Sequence, residues 1–345
     1  MNAASILRDL QEAAAPCVRL VGAGMGRSRI GGLPDLADQF PWPMRNGRAM
    51  AFLAQIDLAE LRAAQGPDWL PDRGLLFVFY DDEEGTWGFS PDDRGSWAVI
   101  HDPAAMAQAA ERAPSEPKPT AQFPEQPIAM RPHLSLPTPE RLAIDTRDVD
   151  DAGLDAIDAL LQASEGDLPL HQVGGWPHPI QNDSMELECQ LASNGINCGD
   201  PEGYQSDRAN ALASGVSEWR LLLQLDSDDA SDMMWGDSGM LYFWIREGDA
   251  RAGDAATDDE QSHAVLSRTP DGQHRPEVGV LPPLGAARVG ARRHKIALAD
   301  PGRAIAAFQQ TSYLVCRQRF GQIRQGPMCD SGQAGRQVCL DRSAL

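Results

Sequence analysis

The sequence predicts an α+β protein, internally duplicated as two copies of a strand/helix/strand motif with connecting helices. Two observations predict it: three short patterns recur in the same order along the chain, and each has a plain backbone meaning. The first pattern is Gly31-Gly32-Leu33-Pro34, returning as Gly174-Gly175-Trp176-Pro177. The second is Phe52-Leu53-Ala54-Gln55-Ile56-Asp57, returning as Leu221-Leu222-Leu223-Gln224-Leu225-Asp226. The third is Gly74-Leu75-Leu76-Phe77-Val78-Phe79-Tyr80, returning as Gly239-Met240-Leu241-Tyr242-Phe243-Trp244-Ile245. The copies then cover about 28–102 and 171–250. The first two patterns lie further apart in the second copy, which reads as an insertion over Asp183 to Ala213, rich in Asn, Gly, Ser and Asp.

Each element follows from its residues. Two glycines before a proline let the backbone take positive φ and then fix it, turning the chain into or out of a strand. Gln55 and Gln224 sit inside short apolar runs that read as buried strands. Asp57, with Glu60 three residues on and then Leu61, reads as the N-cap of a short helix over 58–64. A glycine followed by six apolar residues, as at Gly74 and Gly239, reads as a strand covered on both faces. Ile6, Leu7 and Leu10 mark an amphipathic start within 1–20. Between the copies, Asp102-Pro103 starts a helix that stops near Pro114, the proline-rich 114–139 reads as an extended connection, and Leu154, Ile157, Leu160 and Leu161 mark a helix from about Asp150.

With 345 residues the chain can bury a large core without metal or disulfide support, so no cofactor is expected. No signal pattern and no membrane-length apolar run is visible, and six scattered cysteines give neither a zinc spacing nor a disulfide framework. A cytoplasmic home is expected. The net charge of −20 opposes nucleic-acid binding and suits a basic protein partner, or a solvated surface.

Near Arg251 the character changes. All eight tryptophans lie at or before Trp244, most of the negative charge lies in 1–253, and 254–345 is slightly basic with little periodicity. The duplicated domain is therefore placed at 1–253 and a poorly ordered tail at 254–345. The usage of arginine over lysine indicates a gene rich in G and C, so an out-of-frame tail and a genuine basic appendage both stay open.

The patterns quoted above, together with Trp42-Pro43, His171-Gln172-Val173, Asp226-Ser227-Asp228 and Met234-Trp235-Gly236-Asp237-Ser238-Gly239, resemble those of the YwqG-like family, a bacterial group of unassigned function, over about 28–253. The resemblance implies an α+β protein with mainly antiparallel sheet and brings no catalytic residues. It also implies a closing strand soon after Ile245-Arg246, which is not visible in this sequence.

The motifs have structural readings. Gly236-Asp237-Ser238-Gly239 matches a serine-protease nucleophile segment, but Met240 follows and the segment reads as a turn into a core strand. Gly22-Ala23-Gly24-Met25-Gly26 is glycine-rich but lacks a following helix; an anion held by Arg27, Arg29 and glycine amides is the functional alternative. Asp226, Asp228 and Asp229, with Asp232 and Asp237, form the densest carboxylate group, weak candidates for a divalent cation because the spacing does not complete a calcium loop. His171 and His178 flank the second glycine turn without ligand spacing.

No set of nucleophile, base and oxyanion donors emerges, so a noncatalytic protein-binding module is the expected function, such as an immunity-type partner of a basic protein. The competing expectation is a ligand- or metal-binding protein, or an enzyme, with its site at the seam between the copies. Gln55, Asp57, Gln224, Asp226, Asp228 and Arg29 are its candidate residues.

Overall fold

A computed structural model describes residues 2–104, 111–114, 116–180, 183–236, 238–253 and 264–268. All lie in the first of two compact units, Met1–Arg293. The second unit and most of the 254–345 segment, with the expectation placed on it, lie outside the described residues, as does most of the helix expected between Asp102 and Pro114.

The elements run α1 (Ala3–Glu12), β1 (Ala15–Gly22), β2 (Arg29–Ile30), β3 (Met44–Arg45), β4 (Arg48–Ala49), β5 (Ala51–Asp57), α2 (Leu58–Ala63), β6 (Leu75–Tyr80), β7 (Trp97–Asp102) and β8 (Gln126–Ser135). They continue with α3 (Asp151–Glu165), β9 (Gln172–Gly174), α4 (Met185–Ser193), α5 (Pro201–Gln205), α6 (Asp207–Leu212), β10 (Trp219–Asp226), β11 (Met240–Arg246), α7 (Glu247–Ala252) and β12 (Ala264–Arg268). Among the described residues ten strands form one antiparallel sheet in the order β12-β11-β10-β9-β1-β8-β2-β5-β6-β7, and β3 and β4 pair separately. The sheet curls until its end strands, β7 and β12, approach each other. The protein is thus α+β with a large antiparallel sheet.

The curl encloses a core fed from both ends of the sheet, including Leu53, Val78 and Tyr80 from one side and Leu223, Leu241 and Trp244 from the other. Alternation in β6 divides its side chains: Leu76, Val78 and Tyr80 enter this core, while Leu75, Phe77 and Phe79 enter a second cluster with Trp42 and Phe52. Burying each such ring contributes about 2 kcal/mol, so a charged or amide side chain in its place would forfeit that contribution. Trp235, on the loop from β10 to β11, packs edge-on against Tyr80 at 6.0 Å and Phe123 at 5.7 Å, so this loop closes onto the opposite end of the sheet.

Three expectations from the sequence are corrected. The proline-rich stretch 114–139 contains β8, whose ten residues pair with β1 along Ile128 to Ser135 and with β2 at Gln126 and Pro127. Two prolines and an exposed outer edge hide this strand from pattern reading. The closing strand exists as β12, paired with β11 from Ala264↔Ile245 to Arg268↔Leu241, after an interval longer than the sequence reading allowed. β1 was hidden inside the amphipathic start because it carries a buried arginine: Arg19 donates to the carbonyls of Glu165, Asp167 and Pro169, satisfying the C-terminal end of α3.

Helices cover the rest. Ile6 and Leu10 of α1 pack on Ile157 of α3, and Asp150 caps α3 through the Gly153 amide. Two polar residues of the Asp183 to Ala213 insertion are helix caps: Asp200 accepts from the Gly203 amide and Ser206 from that of Ala209. The insertion has its own small core of Leu191, Ile196, Cys198, Tyr204 and Ala209. Among the described residues no helix is long and apolar enough to cross a membrane.

Candidate functional site

The six candidate residues fall into two groups, one at each glycine turn, and no hydrogen bond or ion pair among the described residues joins the groups. In the first, Gln55 is fully buried on β5. Its Oε1 accepts the Asp35 amide at 2.8 Å, and its Nε2 donates to the Arg27 carbonyl at 2.9 Å and to Asp35 Oδ2 at 3.0 Å. Arg29 holds Asp35 Oδ1 at 2.6 Å and the Leu33 carbonyl through Nε at 2.9 Å. Burial pushes the Asp35 carboxyl up, but the Arg29 and Gln55 bonds and the charge of Arg29 outweigh it and hold it below the usual carboxylate value. Asp57 is the N-cap of α2, accepting the Ala59 and Glu60 amides, while its own amide donates to Ser28 Oγ at 2.9 Å.

In the second group Gln224 is likewise fully buried, on β10. Its Oε1 accepts the His178 amide at 2.9 Å and its Nε2 donates to the Leu170 carbonyl at 2.7 Å. The Asp226 amide donates to His171 Nδ1 at 3.0 Å, and Asp226 Oδ2 accepts the Leu170 amide at 2.8 Å. Asp228 accepts from the Ala230 amide and the Ser231 hydroxyl, and its Oδ2 faces His171 Nε2 at 3.6 Å. The imidazole is the main cause that holds the Asp228 carboxyl down at about 2, burial opposing it and the Ala230 and Ser231 bonds assisting.

These bonds determine what each histidine can do. His171 Nδ1 accepts an amide proton, so in the neutral ring the proton sits on Nε2, facing Asp228. A ring in that tautomer offers no lone pair to a metal or to a substrate proton at Nε2. His178 is the opposite case. Its Nδ1 lies 2.9 Å from Glu165 Oε1, so in the neutral ring the proton sits on Nδ1 and the lone pair on Nε2, and the ring is partly exposed.

The weak cation candidates do not converge. Asp226 and Asp228 engage separate partners, Asp229 is exposed, and Asp237 lies outside the described residues. Among the described residues no group of three or more His, Cys, Asp or Glu side chains is placed to hold a metal ion. In the glycine-rich loop, the Arg27 amide takes the Glu60 carboxylate at 2.6 Å and the Arg27 side chain takes Asp35 at 3.1 Å. Gly24 is needed for close approach, since a Cβ there would lie 1.9 Å from the Ile128 carbonyl oxygen. Ser238 takes φ of 62° in the turn before β11.

Sequence reasoning missed Ser28, Asp35 and Glu165 as members of these networks. The first two had a signal: Ser28, Arg29 and Asp35 stand at the same distances from Gly31 as His171, Gln172 and His178 do from Gly174.

Such a molecule is an α+β sheet protein whose buried polar side chains tie strand ends to glycine turns. Residues 28–255 match the model of DUF1963, a domain of unknown function, and the chain belongs to that family, consistent with the YwqG-like resemblance. No curated protein matches the chain.

Proposed function

We propose that the chain is a noncatalytic protein-binding module for a basic partner, of the immunity type, working in the bacterial cytoplasm. The observation that carries this reading is the division of its polar groups. Buried amides and carboxylates at the strand ends are taken up by internal bonds, whereas on the outer face of α3 no described cation pairs with Asp155 or Asp158. Asp155 and Asp158 are exposed there, and the Asp158 carboxyl is raised by burial first and then by the charges of Asp155 and Glu140. Neighbouring carboxylates that repel one another gain when a cationic partner arrives.

Internal duplication is part of the same proposal, and the bonds support it. Gln55 to Asp35 and Arg27 corresponds to Gln224 to His178 and Leu170; Asp57 to Ser28 corresponds to Asp226 to His171. The ladders of β5 with β6 and of β10 with β11 even carry their irregularities at matching places, Phe52/Ala54 and Leu221/Leu223. Sheet order has the same symmetry about the central β1 and β8.

A second reading, a ligand site, is favoured only by the open Nε2 of His178 beside Glu165. The test of the first is capture from native lysate by the full chain at low and high salt, beside a variant carrying D151N, D155N and D158N. A basic protein held stoichiometrically by the wild type, and lost both at high salt and by the variant, is the expected result. Retention of no basic protein overturns the reading.

A further inference from the structure

The central strand β8 has an open backbone edge. Two bonds determine which way its groups point. The Ile128 amide donates to the Ser28 carbonyl at 3.2 Å, on the β2 side, and the Leu20 amide donates to His171 at 3.0 Å, on the β9 side. Leu20 is the β1 partner of Met130, so that pair is one without mutual bonds. Met130, Pro132 and Leu134 therefore aim their backbone groups away from β1. β2 pairs with β8 only at Gln126 and Pro127, and no described residue takes the groups of these three. Pro132 and Leu134 are exposed, Leu134 at 57%.

We propose that this edge, Met130 to Leu134, docks an extended segment of a basic partner protein by addition of a β-strand. The proposal rests on the basic-partner reading and assigns it a place. Two donors, Met130 and Leu134 N–H, and three acceptors, the carbonyls of Met130, Pro132 and Leu134, face outward in the spacing of an antiparallel ladder. Pro132 decides against a second copy of this chain. Antiparallel self-pairing about Pro132 sets two prolines opposite each other and removes both central donors, whereas a foreign strand still donates to the Pro132 carbonyl. Charge selects the partner's sign: α3 packs on β8, with His133 Nε2 at 2.7 Å from the Ser164 carbonyl, and its Asp155 and Asp158, with Glu140 close to Asp158, outweigh the one exposed arginine of the strand, Arg131. Basic residues in the added segment gain from the field of those carboxylates.

The test uses the full chain and a synthetic heptapeptide alternating arginine and valine, with binding read by fluorescence anisotropy and hydrogen exchange read at individual amides. Expected are slowed exchange at Met130 and Leu134 in the wild type and at least tenfold weaker binding by L134P, which deletes one outward donor and leaves the β1 ladder intact. L134T, which keeps the donor, should bind far better than L134P. Exchange in the unaltered protein keeps the test valid should L134P unfold. Binding without protection of the two amides overturns the edge proposal; if D155N/D158N then abolishes it, the basic-partner reading survives alone. Absence of peptide binding also overturns the edge proposal, leaving the capture experiment to judge the reading beneath it.

Discussion

The Asp226 amide donates to Nδ1 of His171, nitrogen to nitrogen 3.0 Å, and so fixes the neutral tautomer of a ring that is 2% exposed. At the matching place in the first half the acceptor is the hydroxyl of Ser28. H171S should therefore keep an acceptor for the Asp226 amide, while H171A leaves that buried donor unpaired at a further cost of about 1–3 kcal/mol. Urea unfolding of the two variants checks the order. Equal midpoints would mean that the bond contributes nothing.

Asp228 sets an acid limit. Its carboxyl is held down at about 2, below an ordinary aspartate, so its contribution to stability is complete above about pH 4 and disappears as pH falls through 2. D228N should be less stable than wild type at pH 7, with the gap closing between roughly pH 4 and 2. Thermal unfolding across that range measures it, and a gap independent of pH would contradict the assignment.

Gln55 and Gln224 should act independently. Each alanine substitution leaves a buried amide without its acceptor, at about 1–3 kcal/mol. Because no bond joins the two groups, the double variant should add to within about 0.5 kcal/mol. Coupling well beyond that figure would revive a shared seam site.

Gly22, at the end of β1, and Gly24, just beyond it, should differ sharply. A methyl at Gly24 would strike the Ile128 carbonyl, whereas Gly22 has nothing within 4 Å of the same position. G24A should cost about 1–3 kcal/mol or more from overpacking and G22A well under 1. Denaturant midpoints of the two proteins settle the comparison.

Much of the fold was legible where burial writes itself into composition. β5, β6, β10 and β11 are apolar on both faces, and Asp57 and Asp150 announced α2 and α3 through capping chemistry. β1 and β8 were illegible because their partners, not their residues, make them strands: one carries a buried arginine that caps α3, the other two prolines. In the site, Gln55, Gln224, Asp57 and Asp226 could be singled out, but not their roles. Those depend on Asp35, His178, Ser28 and His171, which reach them across the sheet and differ in type between the halves.

The pairing of β1 with β8 also fixes a timetable. Gly22 and Ile128 are neighbours in the sheet although roughly 110 residues of chain separate them, and at ~5–20 residues per second a ribosome takes about 5–20 s to deliver the second after the first. β9, on the other flank of β1, emerges later still. During synthesis β1 thus waits for neighbours on both sides, so nascent chains interrupted before Gln126 present an unsheltered Val18-Arg19-Leu20-Val21 segment to chaperones and proteases.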